Sequence, residues 1–264
     1  MKLFIDAVAL WAPTLPDWRS ARAGFRGDSV ETQATLRRPS PELLPSAERR
    51  RAPDTVALAL EVAHAAVSAS GWRSGDLLSV FTSCHGDLAI TDAICSVLVA
   101  TPKLVSPTRF HNSVHNAASG YWGIATGCMR ASTAVSAFDN SFAAGLLEAA
   151  TQAVADDAPV LLVGYDTAAC GALASTTASR GMLGVALVLA PRRGVATMAA
   201  IDVDLAAGPA PRIPLRSEAA LPLAMNAMAD AVPLFEALAR ADVAELRMPL
   251  SAHASLQVKL REFA

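Results

Sequence analysis

"ASTAVSAFDNSFAAGLLEA", residues 131–149, changes its character halfway along. Residues 131–138 are rich in small and β-branched side chains and read as a strand. From residue 139 the pattern predicts a helix over 139–157, with Asp139 at its N-cap, where a carboxylate meets unpaired amides. The unit is therefore a strand running through a tight turn into a helix.

Working outward, the alternation continues. LFIDAVAL (3–10) reads as a buried strand, and 11–53 as a long irregular excursion with short helices. A helix over 54–71, a strand over 76–84 and a helix over 85–102 closed by Pro102 follow. Residues 107–126 read as helical from about Ser113. PVLLVGYD (159–166) and GMLGVALVLA (181–190) read as fully buried strands, and 195–206 as another. A helix over 223–241, interrupted by Pro233, and a tail complete the chain. Strands alternating with helices predict an α/β layered sheet covered on both faces.

The composition narrows the function. The 264 residues are 53% hydrophobic and 17% charged, with a formal net charge of −2 and a mean hydropathy of +0.35. No run approaches the roughly 18–20 apolar residues of a membrane span, so the apolar excess implies deep burial and a large subunit interface. The near-neutral charge leaves no footprint for nucleic acid. MKLFIDAVAL carries Asp6 and no small-residue cleavage site, so it reads as a first strand rather than a signal peptide. Cys84, Cys95, Cys128 and Cys170 form no CxxC unit and read as reduced thiols of a cytoplasmic protein. No G-x-G-x-x-G or P-loop is present, and no cofactor is implied.

Three chemistries merit weighing. His111 and His115 lie four apart, one face of a helix, as in helical zinc pairs. Asn112, Ser113 and Val114 between them include no glutamate base, and no further Cys or His ligands cluster nearby, so metal is not expected. The turn Ala137-Phe138-Asp139-Asn140-Ser141 lacks the flanking glycines of a serine-hydrolase elbow. A reactive cysteine gains from a helix N-terminus, and none of the four clearly has one.

SPTRFHNSVHNAASGYWGIATG (106–127), ASTAVSAFDNSFAAGLLEA and VLLVGYD together resemble the N-terminal half of a β-ketoacyl synthase of the thiolase superfamily. The likeness runs in order over residues 1–206, and Ser113, Asn116 and Gly120 fix its register. It implies a thiolase-like layered fold over 1–206, with 207–264 a short, partly helical C-terminal extension packed on it. Counted without a gap from Asn116, the family's cysteine nucleophile falls on Asp139. The family's histidine motifs are also missing, since the one histidine after residue 206, His253, sits in PLSAHASLQ. The chain thus resembles a chain-length factor, the non-catalytic partner of a ketosynthase, in the short form of aryl polyene and xanthomonadin-type pathways.

That resemblance implies a ketosynthase heterodimer and an acyl carrier protein as partners. It places Phe110, Ser113, Val114, Asn116 and Phe138 at the interface or acyl tunnel. Arg49, Arg50 and Arg51, with Arg37 and Arg38, become candidates to meet an acidic carrier surface. Asp166 is expected to anchor its strand end by hydrogen bonds. Two rivals stay open: an acyl-thioester enzyme using Asp139 as base, and a non-catalytic homodimeric scaffold.

Overall fold

The computed structural model describes residues 1–28, 38–177, 179–261 and 263; Arg37 lies outside them. The elements run β1 (Lys2–Trp11), α1 (Trp18–Arg26), α2 (Ser46–Arg51), α3 (Asp54–Ser70), β2 (Leu78–Thr82) and α4 (Leu88–Ala100). Next come α5 (Pro107–Asn112), α6 (Ala117–Thr126), β3 (Ser132–Val135), α7 (Ser141–Ala155), β4 (Val160–Asp166) and β5 (Leu183–Ala190). The chain ends with β6 (Ala199–Ala207), α8 (Val232–Arg240), β7 (Ala244–Pro249) and β8 (Ala254–Arg261). Among the described residues these strands form one eight-stranded sheet, ordered β3-β2-β4-β5-β1-β6-β8-β7. β3, β2 and β4 are parallel, and the other pairings are antiparallel.

The sheet separates two apolar cores. Leu3, Ile5, Val8 and Leu10 of β1 join α7 and α8 on one face. Ala7, Ala9 and Trp11 join α3 and α6 on the other. Strict alternation cannot put Ile5 and Val8 on one face; a register shift between Ile5 and Ala7 does so. Asp6 sits at that irregularity, buried, accepting from Trp72 Nε1 at 2.9 Å and from Thr197 Oγ1 at 2.8 Å. A carboxylate in an otherwise apolar strand is thereby satisfied.

Helices press closely on both faces. A Cβ at Gly184 would stand 2.9 Å from Leu58 Cδ1, and one at Gly145 would stand 2.8 Å from Thr82 Cγ2. Only glycine lets α3 approach β5, and α7 approach β2, this closely.

Two expectations change. The single helix over 223–241 is a pair of 3-10 turns followed by α8. Pro233 stands in the first turn of α8 rather than interrupting it, because its missing N–H is no loss there. The tail is a β7–β8 hairpin that extends the sheet through β6.

Candidate functional site

The elbow lies between β3 and α7. Beyond Val135 the backbone passes through a 3-10 turn, Phe138–Asn140, and Phe138 takes φ +49°. Holding a non-glycine residue there costs of order 1–3 kcal/mol, so surrounding contacts must impose it. Ser141 Oγ accepts from Ala137 N at 3.0 Å and donates to Phe138 O at 2.6 Å. Thr82 Oγ1 donates to Ser141 O at 2.7 Å, and Ser136 Oγ to Cys84 O at 2.9 Å.

A strained strand-to-helix turn is the geometry that presents a nucleophile in hydrolase elbows. Here the strained residue is Phe138, one position before Asp139, and neither carries a thiol. The Phe138 ring is 74% exposed and meets the His85 ring edge-on at 6.2 Å.

Asp139 is not the cap of α7. The N-cap is Asn140, and its Nδ2 donates to Leu250 O at 3.3 Å instead of its side chain capping the helix. The Asp139 carboxylate points outward and pairs with Arg212 Nη2 at 2.8 Å. The extra 3-10 turn accounts for the change, because it starts the helix two residues later than expected.

Behind the turn sits a buried carboxylate, Asp166, accepting from Ser83 Oγ at 2.7 Å and Cys84 N at 2.9 Å. It anchors the ends of β2 and β4 together, and burial pushes its carboxyl up to about 7. The neighbouring Cys84 thiol is pushed up to about 12, first by burial and then by the charges of Asp166, Asp139 and Asp230. It is therefore a protonated thiol, the opposite of what a cysteine nucleophile needs.

Asp230, Arg212 and Leu250 join the site from the C-terminal segment, and sequence reasoning missed all three. Asp230 Oδ2 accepts from Ala143 N at 3.4 Å, while its Oδ1 is buried without a partner. Burial pushes this carboxyl up to about 7 as well, against the lowering effects of the Ala143 and Phe142 amides and Arg212. A lone acid ahead of an apolar helix was the one signal available for it.

The histidine pair does not share a helix face. His111 lies in α5 against the Tyr121 ring, and His115 lies in the break between α5 and α6. His115 Nε2 stands 3.0 Å from Ser83 O, so that nitrogen carries a proton and donates. Among the described residues no group of three His, Cys, Asp or Glu could hold a metal ion. The break at 113–116 also replaces the continuous helix expected from Ser113.

The structure divides the remaining candidates. Val114 and Asn116 line a cavity of about 640 Å³ with Leu43, Leu44, His111 and Tyr121. Ser113 Oγ donates to Phe110 O at 2.8 Å, closing the end of α5. Phe110 and Phe138 are exposed apolar rings outside that cavity. Arg49, Arg50 and Arg51 form the last turn of α2. Arg49 is folded back on the carbonyls of Leu44 and Glu42, and Arg51 lines the cavity mouth with Glu48. Arg38 pairs with Asp54.

The most unusual surface belongs to α4. Its sequence LAITDAICSVLVA is almost wholly apolar, yet only Leu88 is buried. Leu98, Val99, Leu104, Phe110, Ile124 and Met129 are likewise exposed. Among the described residues no helix is long and apolar enough to cross a membrane.

The fold carries a strand–turn–helix elbow between β3 and α7 that holds Phe138 and Asp139 and contains no cysteine. The family model for the beta-ketoacyl synthase N-terminal domain matches residues 20–228, and the chain belongs to that family. Three solved structures share the fold across their whole length. A chain of the Xenorhabdus doucetiae complex of the ketosynthase ApeO with its chain length factor ApeC is 21% identical, with a TM-score of 0.73, covering 98% of this chain and 99% of that one. A chain of the ishigamide ketosynthase/chain length factor is 16% identical, with a TM-score of 0.75 and full coverage of both. A chain of AntDE:AntF, a type II PKS acyl-carrier protein in complex with its ketosynthase bound to the hexaketide, is 12% identical, with a TM-score of 0.76 and 99% coverage of each. No curated protein sequence matches the chain.

Proposed function

We propose that this chain is a catalytically silent chain-length factor, pairing with a ketosynthase and shaping its acyl tunnel during polyketide or polyene elongation. The observation that carries the reading is the elbow, where Phe138 and Asp139 stand in the turn that would present the nucleophile. A carboxylate cannot hold an acyl chain as a stable thioester, and a phenyl ring holds none at all. Solved structures that share its fold include ketosynthase and chain length factor complexes.

The partner reading rests on α4. A largely apolar helix is suited to burial, and in α4 only Leu88 is fully buried while six of its thirteen residues are exposed. Among the described residues β3 is an edge strand of the sheet, and strand pairing there would extend the sheet into a second subunit. Phe110, Val114 and Phe138 then face the partner's acyl tunnel, with Ser113 and Asn116 holding the α5–α6 break. In this reading residues 1–206 are the synthase-like unit and 207–264 the extension. Arg50 and Arg51, with Arg49 bracing the turn, offer positive charge to an acidic carrier protein, in line with the carrier protein of the AntDE:AntF complex.

A tunnel floor limits chain length because overfilling a packed cavity costs ~1–3 kcal/mol, roughly 5- to 150-fold in rate when expressed at the transition state. Co-expression with a ketosynthase, followed by sizing and mass, is the direct test. A stable heterodimer is expected; a homodimer that ignores the ketosynthase overturns the reading in favour of a scaffold. Within the complex, Phe138→Ala and Val114→Trp are expected to lengthen and shorten products respectively. Unchanged product distributions for both remove these residues from the tunnel. Asp139→Ala is expected to leave turnover intact, and lost turnover in an intact complex would assign Asp139 as a base.

A further inference from the structure

The amino end of α7 is where a family nucleophile would draw on the helix field, since the dipole and free amides there lower a thiol's pKa. In this chain that end is already occupied. The Asp230 carboxyl reaches the amides of Phe142 and Ala143 from a segment 87 residues further along the chain. None of the local residues does the job: Asn140 turns its amide to Leu250, and Asp139 turns its carboxylate to Arg212. Asp230 Oδ1 is buried with no partner, so this carboxyl is not there for an optimal hydrogen-bond set of its own.

From these contacts we propose that Asp230 is a built-in counter-anion of the elbow, which spends the field of α7 on the chain's own carboxylate and bars reactive thiolate chemistry at position 138 or 139. The proposal rests on reading the 138–141 turn as the family's nucleophile turn. It makes the silence of the chain double: the thiol is missing, and restoring it would not restore its acidity. Two further contacts, Asp139 with Arg212 and Asn140 with Leu250, hold the C-terminal segment across the same turn. The charged and titratable groups that act on Asp230 are Arg212, which stabilises its anion, and Asp166, which opposes it. The Cys84 thiol lies within its field.

The test installs the missing thiol in the full chain as Phe138→Cys and follows its alkylation by iodoacetamide across pH. The thiolate forms the carbon–sulfur bond and iodide leaves, and the peptide carrying position 138 is read by mass, so the four native thiols do not contribute. With Asp230 present the new thiol is expected to titrate in the ordinary range near 8.5. Adding Asp230→Asn is expected to raise its alkylation rate about 3-fold at pH 8, where the Asp230 carboxyl is ionised, by a lower pH midpoint. If Asp230→Asn does not fold, Asp230→Ser, which keeps an oxygen for the Ala143 amide without charge, makes the same comparison.

A midpoint that does not move on removing the Asp230 charge overturns the proposal. So does an equal rise with Asp230→Glu, which keeps the charge and so reports loosening of the turn. Failure of the chain to pair with a ketosynthase would break the chain-length-factor reading and leave this thiol measurement unaffected.

Discussion

The two ends of the sheet are built on opposite rules. β7 closes one end with six residues, AELRMP, in which Glu245, Arg247 and Pro249 alternate with buried Leu246 and Met248. Glu245 pairs with Lys259 at 3.4 Å, and Arg247 Nε donates to Ser255 Oγ at 2.8 Å. Charges and a proline are the usual guards of a free strand edge. β3 closes the other end with Ser-Thr-Ala-Val, without a charge or proline, preceded in the chain by exposed Met129 and followed by exposed Phe138. The bare edge suits the pairing proposed for it, whereas charges and a proline discourage growth of the sheet at its other end.

The largest expected effect breaks the bare edge. Ser79 N bonds to Ala131 O and Ser83 N to Val135 O, so alternation turns the backbone groups of Ala134 away from β2. Ala134→Pro is expected to weaken ketosynthase binding by about 100-fold, with an unchanged far-UV spectrum. Pull-down or sizing of the co-expressed pair reads it, and a complex of normal affinity rules out β3 pairing.

A smaller effect concerns charge beyond the edges. Replacing Arg50 and Arg51 by Glu is expected to lower kcat/KM for the carrier-bound substrate about 10-fold, with less salt dependence than the parent. An unchanged salt profile removes α2 from carrier recognition.

Removing the guards should act in the opposite sense. Glu245→Val with Arg247→Val is expected to make the chain self-associate weakly, with apparent mass rising with concentration in sedimentation. A strictly monodisperse double variant would show that β7 needs no protection.

The smallest effect is on stability against pH. Asp166 and Asp230 are raised from 3.8 to about 7 in the folded chain. The folded state therefore binds more protons than the unfolded one between those values, so the stability contributed is full below about 4 and is lost as pH rises through 7. Tm should fall by a few degrees between pH 5.5 and pH 8, and Asp230→Asn should flatten the slope; a rising Tm over that window contradicts the assignment.

Much of this architecture was legible because its physics is local. The continuous apolar runs of β4 and β5, the apolar span of α3 between Pro53 and Gly71 and the strand–turn–helix at 131–157 each depend on residues within a few positions. The β7–β8 hairpin also carries a local signal, the alternation Glu245-Leu246-Arg247-Met248 and Leu256-Gln257-Val258-Lys259, but four-residue alternations beside a helical pattern do not by themselves mark strands. The elbow shows the limit more sharply. The sequence showed that no cysteine stands there, yet the 3-10 turn that strains Phe138 and turns Asp139 outward depends on Thr82, Cys84 and Ser136.

The sequence alone determined the layered α/β fold, its family and the absence of a thiol at the turn, since these follow from periodicity, spacing and residue type. The tertiary structure alone decided which residue bears the strain, which edge is bare and which carboxylate meets α7. Each of those depends on groups brought together across long stretches of chain, Asp230 on Ala143 and Arg212 on Asp139, and no local pattern encodes such a meeting.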